Sequence, residues 1–223
     1  MIGEATSDVF KVTQTPLFFD LDGTLTDPQQ GITGCIRFAM QQLQIVAPAQ
    51  AQLTWCIGPP LRESFVELVG EDKADAAVEY YRQRFSAIGL FENELYPEIA
   101  QVLLELRSRG HSLFVASSKP RVFVERILQH FDLDQYFSAV YGSELDGRLQ
   151  DKGELLAHAL ADQKLQGSDC VMIGDRHHDA LGAANNGMDF IGVLYGFGAA
   201  EEFRANGFLR WVESPKQLLE LIM

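Results

Sequence analysis

The sequence is poor in positive charge, in cysteine and in long apolar runs. Lysine and arginine number 18 against 31 aspartates and glutamates, a formal net charge of −13. A protein that grips duplex nucleic acid or an anionic bilayer needs a basic face, so both partners are set aside. Only three cysteines occur, Cys35, Cys56 and Cys170, never as a C-x-x-C pair. That argues against a disulfide scaffold or a structural zinc site and fits a reducing compartment. The longest uncharged stretch, Phe38 to Leu61, holds five glutamines and three prolines, so no membrane span is expected. Residues 1–15 are polar and mixed, without the apolar centre of a signal peptide. A soluble, cytoplasmic protein is the expectation. Zinc-protease H-E-x-x-H spacing, the G-x-S-x-G elbow and the G-x-x-x-x-G-K-[ST] loop are all missing from the sequence.

What is present is an ordinary globular composition: 223 residues, 47% apolar and 22% charged, enough for one or two domains with a buried core. Short apolar runs recur and end in polar or small residues. Pro16–Phe19 runs into Asp20, Ser112–Ala116 into Ser117, Cys170–Ile173 into Gly174-Asp175, and Phe190–Leu194 into a glycine-rich turn. Their length suits buried parallel strands. Helical periods separate them: Ile99, Val102, Leu103 and Leu106, closed by Gly110, and later Leu155, Leu156, Ala159 and Leu160. The predicted core is α/β, a Rossmann-like parallel sheet with helices on both faces.

Residues 28–95 read differently. Ile32, Cys35, Ile36, Ala39, Met40 and Leu43 form one amphipathic stripe. Ala74, Ala77, Val78, Tyr81, Phe85 and Ile88 form another, with Leu61, Phe65 and Leu68 as a shorter helix between them. The expectation is a small all-helical cap over 28–95, inserted after the first strand into a core made of 1–27 and 96–223.

Three predicted strand ends carry chemistry, and in open α/β sheets ligands bind beyond those ends. In Asp20-Leu21-Asp22-Gly23-Thr24 two carboxylates stand two residues apart, facing one way in extended chain. Asp20 is suited to nucleophilic attack on phosphorus and Asp22 to proton transfer. A calcium loop starting at Asp20 fails, because its fifth, sixth and twelfth positions are Thr24, Leu25 and Gly31. Ser117-Ser118-Lys119-Pro120 offers hydroxyls and backbone N–H groups for a phosphate oxygen, with a helix N-cap as the competing assignment. Asp175 and Asp179, at i and i+4 after a strand, suit a hard cation. A lysine is needed to offset the charge of phosphate and nucleophile; Lys152 is the first candidate and Lys119 its rival.

Together the motifs closely resemble the haloacid dehalogenase (HAD) superfamily, in the subgroup with a helical cap after the first motif. Asp20-Leu-Asp22-Gly-Thr24, Ser117, Lys152 and Gly174-Asp175 with Asp179 appear in the family's order. The resemblance implies Asp20 as nucleophile, Asp22 as general acid/base, and Ser117 and Lys152 as phosphate binders. It implies Mg²⁺ on Asp20, the Asp22 carbonyl and Asp175, with Asp179 in support. Thr24, Ser118 and Arg62 are assigned to the substrate; Arg62, in Gly58-Pro59-Pro60-Leu61-Arg62, would meet a second anionic group. Many relatives have Thr-Asn where this chain has Ser117-Ser118, and Lys-Pro-x-Pro-Asp where it has Lys152-Gly153-Glu154. The expected activity is a Mg²⁺-dependent phosphatase on a small phosphorylated metabolite, similar to phosphoglycolate phosphatases. The alternatives are 5′-nucleotidase, pyrophosphatase or phosphomutase activity, or a phospho-aspartate switch. Both monomer and dimer stay open.

Overall fold

The computed structural model describes residues 14–222, so most of the polar N-terminal stretch lies outside the described residues. Six strands form one parallel sheet in the order β5-β4-β1-β6-β7-β8: β1 (Leu17–Phe19), β4 (Leu113–Pro120), β5 (Ala139–Ser143), β6 (Val171–Gly174), β7 (Asp189–Val193) and β8 (Trp211–Val212). The four strand-like runs in the sequence are β1, β4, β6 and β7. The two outermost strands were not signalled: β5 is only half buried at its start and β8 is two residues long.

Side-chain alternation divides the core in two. Leu17, Phe19, Val115, Ile173 and Ile191 face one side, where helices α4 (Ile99–Ser108) and α5 (Arg121–His130) cover them. Phe18, Phe114, Met172 and Phe190 face the other, under α6 (Lys152–Gln163), α7 (His177–Asn185) and α8 (Ala200–Ala205). Phe18 and Phe19 are both fully buried, each contributing about 2 kcal/mol by area burial. The predicted α4 and α6 periods are the buried faces of those helices. A ninth helix, α9 (Leu218–Leu221), closes the chain on the α4 side.

Between β2 (Thr26–Asp27) and β3 (Glu94–Leu95) the chain forms α1 (Gln29–Gln42), α2 (Leu61–Val69) and α3 (Glu71–Arg84). β2 and β3 pair antiparallel, Thr26 opposite Leu95 and Asp27 opposite Glu94. The segment expected to be all-helical therefore ends in a short strand that holds its two ends side by side. The α1 stripe is buried as read, except that Leu43 is half-exposed. Ile88 departs from its stripe and is exposed. The helix widens to π-type hydrogen bonding over Phe85–Gly89, with the Leu90 N–H donating to the Phe85 carbonyl, and the wider turn rotates Ile88 off the buried face. No helix among the described residues is long and apolar enough to cross a membrane.

Candidate active site

Register brings the motifs together. Phe19 of β1 pairs with Val115 of β4 on one side and Ile173 of β6 on the other. The residues just beyond, Asp20, Ser117 and Asp175, thus emerge abreast at the carboxyl edge of the sheet. The strand order also reverses around β1, which opens a crevice there. After Asp20 the chain turns at Gly23, whose φ is +85° and whose missing Cβ would lie 2.1 Å from an Asp175 carboxylate oxygen. Only glycine fits that position.

Asp20 is buried, and Lys152 at the start of α6 donates to its Oδ1 at 2.9 Å. The same ammonium meets Asp179 Oδ1 at 2.8 Å and the Ala116 carbonyl at 2.8 Å. Burial alone would lower the Lys152 pKa, but Asp179 and Asp20 outweigh it and raise it. Burial raises Asp20, against the pull of Lys152. Asp22 has its own cation: Lys119 Nζ lies 2.6 Å from Oδ2 and 2.8 Å from Oδ1. Burial raises the Asp22 carboxyl as well, with Lys119 opposing, a direction that suits a group that must hold a proton before donating it. β4 shifts register between Ser117 and Pro120, and this irregularity sets Ser117 and Lys119 toward the site. Ser117 is buried, and its Oγ is 3.4 Å from the Lys119 N–H.

Asp20, Asp175 and Asp179 place carboxylate oxygens within 4.8 Å of one another, all three buried. Asp175 Oδ2 accepts from the Phe197 N–H at 2.8 Å, whereas its buried Oδ1 has no hydrogen-bond partner. Burial, Asp179 and Asp20 push the Asp175 carboxyl well above the ordinary range. Four buried carboxyl groups stand against two lysine ammonium groups, Lys119 and Lys152, an excess of acidic over basic groups. An orphaned carboxylate oxygen within such an excess fits a divalent cation held by oxygen ligands.

Comparison with known proteins agrees with this geometry. Residues 17–193 match the haloacid dehalogenase-like hydrolase family, a span that includes every motif above. The chain belongs to the haloacid dehalogenase-like hydrolases. A 5′-nucleotidase of Pseudomonas aeruginosa is 50% identical over 192 residues, covering 85% of this chain and 87% of that protein. Tyrosine-protein kinase PtkA of Mycobacterium tuberculosis is 38% identical over 83% of this chain, which spans 64% of PtkA. Phosphoglycolate phosphatases match at lower identity. The crystal structure of a predicted phosphatase from Clostridium acetobutylicum superposes with a TM-score of 0.88 at 41% identity, covering 94% of this chain and all of that one. This HAD-like hydrolase is a phosphatase of phosphoric monoesters.

In this HAD-like hydrolase the pocket over Asp20 is two-faced. Its floor holds Asp20, Asp22, Ser117, Ser118, Lys119, Lys152 and Asp179. Its roof and wall hold Ile32, Cys56, Pro59, Leu61, Tyr81, Phe85 and Phe123. Two residues assigned to the substrate lie elsewhere. Thr24 is fully buried and does not line the pocket; its carbonyl accepts from the Tyr195 hydroxyl at 3.0 Å. Arg62 projects outward, paired with Glu71 and Asp75 at 2.7 Å each, and does not line the pocket either. Its guanidinium is engaged by two acidic side chains of the helical segment instead of facing the pocket.

The HAD-like site also uses residues to which the sequence reading gave no fixed role. The Phe197 N–H caps Asp175 from the glycine-rich turn after β7; at Gly198 a Cβ would lie 1.7 Å from the Asp175 carbonyl oxygen. Two glycines two apart after a strand were the available signal. Arg176 donates to the Ile57 carbonyl at 2.7 Å and to Glu202 at 3.3 Å, tying the loop after β6 to the helical segment. His178 lines the pocket, and burial, with His177 and Arg176, lowers it to about 4, so it is neutral at physiological pH.

Proposed function

We propose that this hydrolase is a Mg²⁺-dependent phosphatase that works through a phosphorylated Asp20 and prefers nucleoside monophosphates. The observation that carries the chemistry is the pair of carboxylates two residues apart, each with its own buried lysine. In the first step an Asp20 oxygen attacks phosphorus as the bond to the ester oxygen breaks. Asp22 gives its proton to that oxygen, and the alcohol leaves. In the second step Asp22 takes a proton from water, whose oxygen attacks phosphorus and frees Asp20. Ser117 supplies a hydroxyl to the phosphoryl oxygens, and Lys152 offsets charge at Asp20. Asp20, Asp175 and the Asp22 carbonyl, supported by Asp179, would hold Mg²⁺. When bound, the ion neutralises charge on the transferring phosphoryl group.

The substrate class follows from the other side of the pocket. The helical segment is read as a cap of residues 28–95 over a core of 1–27 and 96–223. Its contribution to the lining is apolar and aromatic apart from Arg82, which donates to the Leu145 carbonyl at 3.3 Å. Phosphoglycolate would bring a second anionic group, its carboxylate, to this face, where Arg62 does not reach. A nucleoside offers a planar aromatic base that Tyr81 and Phe85 match. The name of the Pseudomonas relative points the same way.

The test is phosphate release from nucleoside monophosphates, phosphoglycolate, pyrophosphate and a sugar phosphate, with Mg²⁺, with chelator, and in Asp20→Asn. Turnover lost on chelation and in the variant is expected, with kcat/KM for the nucleotide at least about tenfold above phosphoglycolate, a modest pocket discrimination. Undiminished turnover in Asp20→Asn overturns the chemistry. Phosphoglycolate as the better substrate overturns the substrate class alone. Isomerised product without free phosphate would identify a mutase, and a stable acyl-phosphate without release would identify a switch.

A further inference from the structure

We infer that Lys119 is a positioning residue for the general acid/base, committed to Asp22 and not to the substrate's phosphoryl group; this rests on the role of Asp22 proposed above. The two lysines of the site divide its carboxylates. Lys152 reaches Asp20, Asp179 and the Ala116 carbonyl. Lys119 straddles both oxygens of Asp22 at 2.6 and 2.8 Å. Its remaining side meets the Phe85 ring from the helical segment, with the ammonium 4.9 Å from the ring centroid. Salt bridge and ring together leave both side chains nearly inaccessible, 8% for Lys119 and 11% for Asp22, so the cation is held dry and in one place.

That grip answers a need of the chemistry. A carboxyl group turns freely about its last bond, and a general acid works only when its O–H is aimed at the leaving oxygen. With the ammonium on Asp22, one oxygen keeps Lys119 as its donor while the other presents the proton to the pocket. Once the proton has moved to the ester oxygen, Lys119 faces the carboxylate that remains. It therefore helps most when the leaving group depends on receiving a proton. A lysine that bound phosphate would help every phosphomonoester alike.

The experiment compares kcat/KM for p-nitrophenyl phosphate, phenyl phosphate and a nucleoside 5′-monophosphate. The first has a stable leaving phenolate that needs little protonation; the last leaves as a poor alkoxide. Wild type, Lys119→Met, Lys119→Arg and Asp22→Asn are assayed, with circular dichroism to verify folding. For Lys119→Met a loss of roughly a hundredfold on the nucleotide and less than about fivefold on p-nitrophenyl phosphate is expected, the lower range of general-acid effects. Lys119→Arg should recover part of the nucleotide rate. Asp22→Asn should show the same selectivity, more strongly. If Asp22→Asn slows all three esters equally, the general-acid reading itself fails. If Asp22→Asn is selective but Lys119→Met slows all three equally, or none, that reading stands and Lys119 is not its positioning residue. Should Lys119→Met not fold, Lys119→Leu, which likewise removes the charge and the donor, carries the same comparison.

Discussion

The floor of the pocket and its roof are built on opposite plans. The floor is charged and held by ion pairs between residues distant in sequence, such as Lys152 with Asp20 and Lys119 with Asp22. The roof is apolar, held by ring packing: Phe85 stacks on Tyr81 at 5.3 Å and meets Phe123 edge-on at 5.4 Å. The two meet at arginines that donate across the boundary to main-chain carbonyls: Arg176 to Ile57, Arg126 to Ser86 and Arg82 to Leu145. Main-chain acceptors are indifferent to side-chain identity. The boundary can thus keep its contacts while the lining residues change, so reaction and substrate can be tuned apart.

Substitutions on the two sides should fail in different ways. Asp20→Asn should have the largest effect, lowering kcat by at least about a thousandfold as losses of a catalytic nucleophile do, with the far-ultraviolet spectrum unchanged. Phe85→Ala comes next and acts through stability. It removes a buried ring from two aromatic contacts and should cost about 3 kcal/mol in denaturant unfolding. Mg²⁺ should stabilise the wild-type protein by about 2.7 kcal/mol at a hundred times its Kd. Asp175→Asn should abolish that gain while raising the melting temperature of the metal-free protein, because it relieves the crowded carboxylates. Arg62→Ala should change kcat/KM less than twofold in the same phosphate-release assay, a small effect because its partners lie outside the pocket.

The smallest effect is a pH dependence at the loop after β6. Burial raises the Glu202 carboxyl, but the His177 backbone N–H and Arg176 lower it more, leaving it below its ordinary 4.5. A depressed folded pKa means stability fully present above the unfolded value and lost as pH falls through the folded one. Wild type should therefore lose stability below pH 4.5 more steeply than Glu202→Gln, as followed by melting temperature. Parallel curves would show that the pair contributes nothing measurable.

Much of the floor was legible because its residues sit at fixed places relative to strand ends. Asp20, Ser117 and Asp175 each follow an apolar run, and parallel register does the rest. Which lysine serves which aspartate was not legible. Lys119 and Lys152 are separated by a helix, a strand and a loop, and only the register shift in β4 and the start of α6 decide their partners. Arg62 illustrates the converse. Its motif is visible, but the direction of its side chain depends on Glu71 and Asp75, which the turn at Gly70 brings alongside. Ile88 was placed inward by a period that the π-type turn interrupts. The outer strands β5 and β8 escaped notice because edge strands need less apolar sequence than buried ones.

The β2–β3 pair has one more implication. Since Thr26 and Leu95 are ladder neighbours, the chain leaves the core and re-enters it about one strand spacing away, roughly 4.8 Å. Everything between is, for the sheet, a very long hairpin loop. Lengthening such a loop costs little closure entropy, so the core is indifferent to how much chain is spliced in there. A tight turn, or an unrelated module with adjacent ends, could stand in place of the three helices and leave the strand register that carries the aspartates intact, provided it replaced the Phe85 ring that backs Lys119, which makes this doorway a grafting point for new substrate preferences.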